Sequence, residues 1–273
     1  MSGTPRVPPV PAVLRLVQMA VLGRWRATVD ELYREVAQIT EAGPQHEILI
    51  SGCGTGEATE WFALRTSASV TGVDPDAESL EVAESRARTL ATAAPIQYAQ
   101  APLDDLPHET EVFDIAIGEP ALSATADPAR AVDELVRVTR PMGSIILLQP
   151  SWSSEVAEHE RELIVERLGL RPHLLIEWKQ MLRDAGVVEI QIEDWTSGPP
   201  GGRAPGAAGS SGPPHLTWRQ KMQIVARAWR RRGWHEARSA VARETTLIRE
   251  LSRERTIGFQ LLKGIKWPHA TAV

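Results

Sequence analysis

Apolar residues along this chain fall into two alternating patterns, and their order predicts the architecture. Short apolar runs occur at 47–51, 69–73, 96–99, 112–118 and 144–149. Runs of this length predict strands buried on both faces, and helical stretches lie between them. Strands alternating with helices predict an α/β fold, an open and mostly parallel sheet with helices on both sides. Ahead of the first strand, residues 11–42 read as two helices, the second carrying Val29, Leu32, Val36 and Ile39 on one face. These helices are expected to pack beside that strand. After the fifth strand, helices are predicted at 154–168 and 174–185, the second stopped by Gly186, and 187–195 alternates as a half-buried strand does.

The pattern then stops. Residues 197–214 are almost wholly Gly, Pro, Ser and Ala, a composition that cannot bury a core and predicts a mobile connection. Two further helices are predicted beyond it, the first with Trp218, Met222, Val225 and Trp229 along one stripe and the second with Ala237, Val241, Ile248 and Leu251. Gly233 separates them, and 256–267 reads as a closing strand. The expected organisation is N-terminal helices over 1–45, a core over 46–196, a flexible linker over 197–215, a helical cap insertion over 216–255, and the final core strand over 256–269.

Composition narrows the classes. At 273 residues and 42% hydrophobic, the chain can bury one full core. No run approaches the roughly 18 apolar residues of a membrane span, and the Pro-rich start carries neither a basic segment nor a cleavage site, so a cytoplasmic protein is expected. Cys53 is the sole cysteine, which excludes an intramolecular disulfide, and the seven histidines show no paired spacing, so no metal is expected. A net charge of -5 disfavours a nucleic-acid partner, although 219–255 holds eleven Arg or Lys against four Glu.

The candidate chemistry lies in the turn after the first strand, SGCGTGE over 51–57, with Gly52, Gly54 and Gly56. Dinucleotide binders need a third glycine one place later, where this chain has Glu57, and a carboxylate there repels a pyrophosphate. S-adenosylmethionine has no phosphate, and glycines let backbone approach its amino-acid tail closely. Asp74 stands eighteen residues after Gly56, at the end of the second strand, where a carboxylate can accept both hydroxyls of a ribose. Each motif alone is weak; together in one strand-turn-helix-strand unit they are specific.

With these residues the chain resembles the class I S-adenosylmethionine-dependent methyltransferases, in particular the type 11 group that includes the ubiquinone and menaquinone methyltransferases. The resemblance covers about 45–150. SGCGTGE is similar to the family's nucleotide turn, GVDPD over 72–76 to its ribose-binding strand end, and APLDDLP over 101–107 to its adenine loop. FDIAIGEPAL resembles the fourth strand, RVTRPMGSIILL the entry to the fifth, and GFQLLKGIKW the last, antiparallel strand. The resemblance implies a Rossmann-like, doubly wound sheet of seven strands with a helical insertion, and S-adenosylmethionine as cofactor. It places Ser51, Gly52, Cys53, Gly54, Gly56, Asp74, Pro75, Leu103, Asp104 and Gly118 around that cofactor. Three departures stand out. Ile50 occupies a position that is usually acidic and helps hold the cofactor's amino group, so another group must supply that contact. Pro102 replaces an Asp that accepts from the adenine amine, leaving Asp104 or a backbone carbonyl, and Met142 replaces the first glycine of an RPGG turn.

Glu119 follows the fourth strand and is the candidate catalytic residue, either as a general base or as a charge favouring the sulfonium; the alternative is an exposed loop Glu. The same stretch, Gly118 to Ala121, lacks the amide and ring used for methylating planar nitrogen, which disfavours adenine and glutamine amides. Seven of the nine tryptophans lie in the second half, where they either line an apolar pocket or fill the core. Trp229 to Trp234 could hold an acidic substrate or an RNA backbone through Arg, or form a solvated helix end, and His159, His173 and His215 are unpaired candidates for a base. Two functions from different classes follow: a methyltransferase for a small apolar or aromatic molecule, or a non-catalytic relative acting as an interaction module. The insertion is then a cap over the site or a homodimer contact.

Overall fold

The computed structural model describes residues 28–152, 156–159, 161–162, 165, 170–195 and 256–268. The first predicted helix, the linker 197–215 and the cap 216–255 lie outside the described residues, as does most of 154–168.

The described chain runs α1 (Thr28–Ile39), β1 (Glu47–Ser51), α2 (Glu57–Thr66), β2 (Ser69–Asp74), α3 (Ala77–Ala87), β3 (Ile96–Gln100), β4 (Phe113–Gly118), a 3₁₀ turn (Pro120–Ala124), α4 (Pro128–Val138), β5 (Thr139–Trp152), α5 (Leu175–Asp184), β6 (Val187–Asp194) and β7 (Ile257–Lys266). One sheet holds all seven strands in the order β3-β2-β1-β4-β5-β7-β6. The first five are mutually parallel, and β7 runs antiparallel to both β5 and β6. Successive residues of β1 point to opposite faces: Ile48 and Ile50 join a cluster with Leu32, Val36, Phe62 and Leu80 of α1 to α3, while Leu49 joins Leu135 and Trp178 of α4 and α5. Ile146 and Leu148 of β5 repeat the first pattern, Ile145 and Leu147 the second. Both faces are therefore dry, which is why these strands read as unbroken apolar runs.

Strand order reverses between β1 and β4, and Ser51 pairs with Gly118 at their carboxyl ends. Helices leave in opposite directions there, so a crevice opens outside these strand ends. One strand, β5, differs from its predicted bounds by several residues. β5 starts at Thr139, which pairs with Phe113 of β4, and runs to Trp152 because β7 pairs with it continuously from Ser144 to Trp152. Met142, at the position of the usual turn glycine, adopts φ 64°. Its side chain escapes into solvent, 58% exposed, so the strained backbone causes no clash.

Candidate functional site

The glycine turn folds back over the end of β2. The N–H groups of Gly52 and Cys53 both donate to Val73 O, at 2.7 and 3.1 Å, and Gly56 N donates to Cys53 O at 2.9 Å. Gly52, Gly54 and Gly56 all have positive φ, at 84°, 54° and 81°. At Gly52 a Cβ would stand 2.6 Å from the Ala121 Cβ, so the turn and the segment after β4 approach too closely for any side chain. Asp74 secures the arrangement: buried at the end of β2, its carboxylate accepts from Gly54 N at 2.8 Å and from Asp76 N at 2.9 Å. A carboxylate oxygen that accepts one backbone N–H can also accept from a hydroxyl.

The other residues singled out from sequence divide by what they touch. Leu103 is buried with Cδ1 3.5 Å from where a Gly52 Cβ would be, so it walls the turn. Ser51 is buried and its Oγ has no partner among the described residues. Cys53 turns its Sγ inward toward Gly72, where it also donates weakly to Gly54 O at 3.9 Å. Gly118 leaves room for Leu122, Leu135 and Leu147, and so serves packing. Pro75 lies beyond Asp74 with its carbonyl accepting from Gln100 Nε2 at 3.3 Å, and Asp104 sits half-buried beside Leu103.

Glu119 is not an exposed loop residue. Its N–H donates to Ser51 O at 2.9 Å, and its Oε1 accepts from the Tyr33 hydroxyl at 3.1 Å. No cation pairs with it among the described residues. Burial pushes its carboxyl up to about 7, with the Tyr33 hydrogen bond opposing and the Glu57 charge adding. Burial, then the charges of Glu119 and Glu57, raises the Tyr33 phenol well above its ordinary value. Gln149 of β5 braces this corner: its Nε2 donates to the carbonyls of Gly118 and Glu119 at 2.9 and 2.8 Å, and its Oε1 accepts from Ser123 Oγ at 3.0 Å. Tyr33 and Gln149 were missed in the sequence. The available signals were a phenol one place beyond the apolar stripe of α1 and a single amide inside the buried run IILLQP.

The titration gives a signed prediction. Unfolded, Glu119 titrates near 4.5 and folded near 7, so the native state holds a proton through this interval that the unfolded state releases. Stability therefore falls as pH rises from 4.5 to 7, and the penalty is complete above that. Glu119→Gln is expected to raise the unfolding free energy at pH 8 by up to about 3 kcal/mol, with little change at pH 4.5. Urea titrations at the two pH values measure this, and equal gains at both would contradict it.

Next to this corner lies an apolar patch. Trp152 at the end of β5, Leu170 and Ile257 at the start of β7 form a buried cluster, with Ala121, Ala124 and Leu174 against it. The Arg161 guanidinium lies 5.8 Å over the Trp152 ring. His173 accepts from Trp152 N through its backbone carbonyl at 3.1 Å; its ring meets Trp178 edge-on, and burial lowers its pKa. The tryptophans thus split: Trp152 borders the site, Trp178 and Trp195 fill the two core faces, and Trp267 is 55% exposed. Trp218, Trp229, Trp234 and His215 lie outside the described residues.

Residues 49–147, from β1 into β5, match the family model of a methyltransferase domain. In this stretch the chain is similar to the type 11 methyltransferases. The chain is similar to the glycine/sarcosine/dimethylglycine N-methyltransferase of Actinopolyspora halophila, 26% identical over 177 residues that cover 62% of this chain and 30% of that protein. Its fold is similar to that of the 4+2 cyclase SpnF, with a TM-score of 0.66 and 21% identity over 89% of this chain and 82% of that one. It is also similar to the geranyl diphosphate C-methyltransferase of Streptomyces coelicolor A3(2), crystallised with Mg2+, geranyl diphosphate and S-adenosyl-L-homocysteine, with a TM-score of 0.60 and 15% identity over 85% and 77%. At these identities the two structures show the fold alone. The chain spans less than two thirds of the length of the curated relatives it matches. Among the described residues, no helix is long and apolar enough to cross a membrane.

Proposed function

We propose that this chain is an S-adenosylmethionine-dependent methyltransferase acting on a small apolar or aromatic molecule. The observation that carries the reading is the convergence, at the reversal point of the sheet, of three left-handed glycines with the buried Asp74 carboxylate that ties their turn to β2. In this reading the backbone of Gly52 to Gly56 lies along the amino-acid tail, with Ser51 Oγ as a hydroxyl within its reach. Asp74 accepts from the ribose hydroxyls, while Leu103 and Asp104 flank the adenine. When bound, the cofactor supplies a methyl group already activated on a sulfonium, so the chain's own contribution is alignment and exclusion of water. The apolar patch of Trp152, Leu170 and Ile257, adjoining Ala121 of the site, supports an apolar methyl acceptor.

Fold alone does not decide the chemistry, since one of the matched structures is a cyclase. Calorimetry with S-adenosylmethionine and S-adenosylhomocysteine tests the reading directly. Binding of both in the micromolar range is expected. Absence of binding at millimolar concentration would leave the interaction-module alternative, and binding without transfer to any labelled acceptor would separate cofactor recognition from catalysis.

A further inference from the structure

We propose that Glu119 is the anionic partner of the ligand's α-ammonium group, held in place by Tyr33 of α1, and so sets the affinity for the amino-acid tail. This rests on the reading of the site given above. The carboxylate is buried at the ligand end of the sheet, and among the described residues its side-chain hydrogen bond comes from a neutral phenol. Among the described residues no Lys, Arg or His pairs with it; the groups that face it are Tyr33 from α1 and Glu57 from α2, and Glu57 adds negative charge. A buried carboxylate without a cationic partner is costly unless something positive arrives, and the cost is recovered when it does.

Position identifies which cation fits. Glu119 N donates to Ser51 O, and its Cβ lies 3.5 Å from where a Gly52 Cβ would stand, so the side chain leaves the backbone beside the glycine turn. β1 itself offers no charge there, because Ile50 faces the core and is fully buried. An ammonium lying along the turn therefore meets Glu119 as its nearest carboxylate from the β4 side. Gln149 fixes the backbone carbonyls at 118 and 119, and Tyr33 orients the carboxylate, so both are positioning residues.

Three ligands distinguish the possibilities in calorimetry at pH 8: S-adenosylmethionine, with ammonium and sulfonium; S-adenosylhomocysteine, with ammonium only; and 5′-methylthioadenosine, which has no amino-acid tail. In Glu119→Gln both tailed ligands are expected to bind about ten- to thirtyfold more weakly, the worth of one charge-assisted hydrogen bond, with 5′-methylthioadenosine unchanged. Wild-type affinity for S-adenosylhomocysteine is also expected to fall as pH drops below 7 and Glu119 takes up a proton, again with the tail-less ligand unaffected. A loss confined to S-adenosylmethionine would assign the charge to the sulfonium, and unchanged affinity for S-adenosylhomocysteine would remove the ammonium contact; either overturns the proposal. Equal losses for all three ligands would show a merely structural role and also overturn it. If the wild-type protein binds none of the three, the methyltransferase reading fails rather than the assignment of Glu119. Tyr33→Phe, which leaves the carboxylate in place, is expected to weaken the tailed ligands by less than Glu119→Gln does.

Discussion

Asp74→Ala is expected to lower the affinity for S-adenosylhomocysteine by about 100-fold or more while leaving a folded protein. The carboxylate does two jobs in the site. It accepts the Gly54 and Asp76 N–H groups at 2.8 and 2.9 Å, holding the glycine turn against β2, and in the proposed reading it also accepts from the ribose. Losing two charge-assisted hydrogen bonds to the ribose, each worth about 1.5 kcal/mol, accounts for a factor of about 100. The loosened turn adds to that, since two partly buried N–H groups lose their acceptor. Calorimetry on the variant, with circular dichroism to establish that it is folded, measures the effect. Undiminished affinity in a folded Asp74→Ala protein would remove the ribose assignment.

Gly56→Val is expected to destabilise the chain by about 2 to 5 kcal/mol, combining the cost of a side chain in left-handed backbone with that of overpacking. Gly56 has φ 81° and precedes the first turn of α2. A Cβ there would stand 2.4 Å from the Tyr98 hydroxyl of β3 and 3.0 Å from the Ala83 Cβ of α3. Tyr98 is a half-buried rigid ring packed against the core, with its hydroxyl buried, and cannot swing aside cheaply. A shift in the urea midpoint with unchanged slope reads out the loss. A variant as stable as the wild type would mean that the turn repacks freely, against the close packing described here.

What could be read from the sequence and what could not follow from the same cause. The strands were legible because both sheet faces are dry, so Ile48, Leu49 and Ile50 form an unbroken run that no amphipathic helix would show. The glycine turn and Asp74 were legible because they lie within one strand-turn-helix-strand unit. The bounds of β5 were less so: Arg140, Pro141 and Met142 have turn-like chemistry, and the pairing of Thr139 with Phe113 includes a register shift. The environment of Glu119 was not legible at all. Its partner Tyr33 is 86 positions away, and Gln149, which holds the Glu119 carbonyl, is 30 positions away. Contacts between helices and strand ends of distant segments leave no periodic trace, so the sequence identified the residue and only the fold supplied its protonation and its neighbours.

The order of strands also constrains how the chain reaches this structure. β7 lies between β5 and β6 although it follows both in the chain, separated from β6 by 62 residues. Until 257–266 has been synthesised, β5 presents a long unpaired edge, and β6 has no strand to dock on. That edge, from Ser144 to Trp152, is apolar over most of its length, the kind of surface that recruits other chains. Insertion of β7 is a late, non-local step with a high loop-closure cost. A nascent or C-terminally truncated chain is therefore a natural client for chaperones, and its yield should depend more on this one insertion than on any feature of the cofactor site.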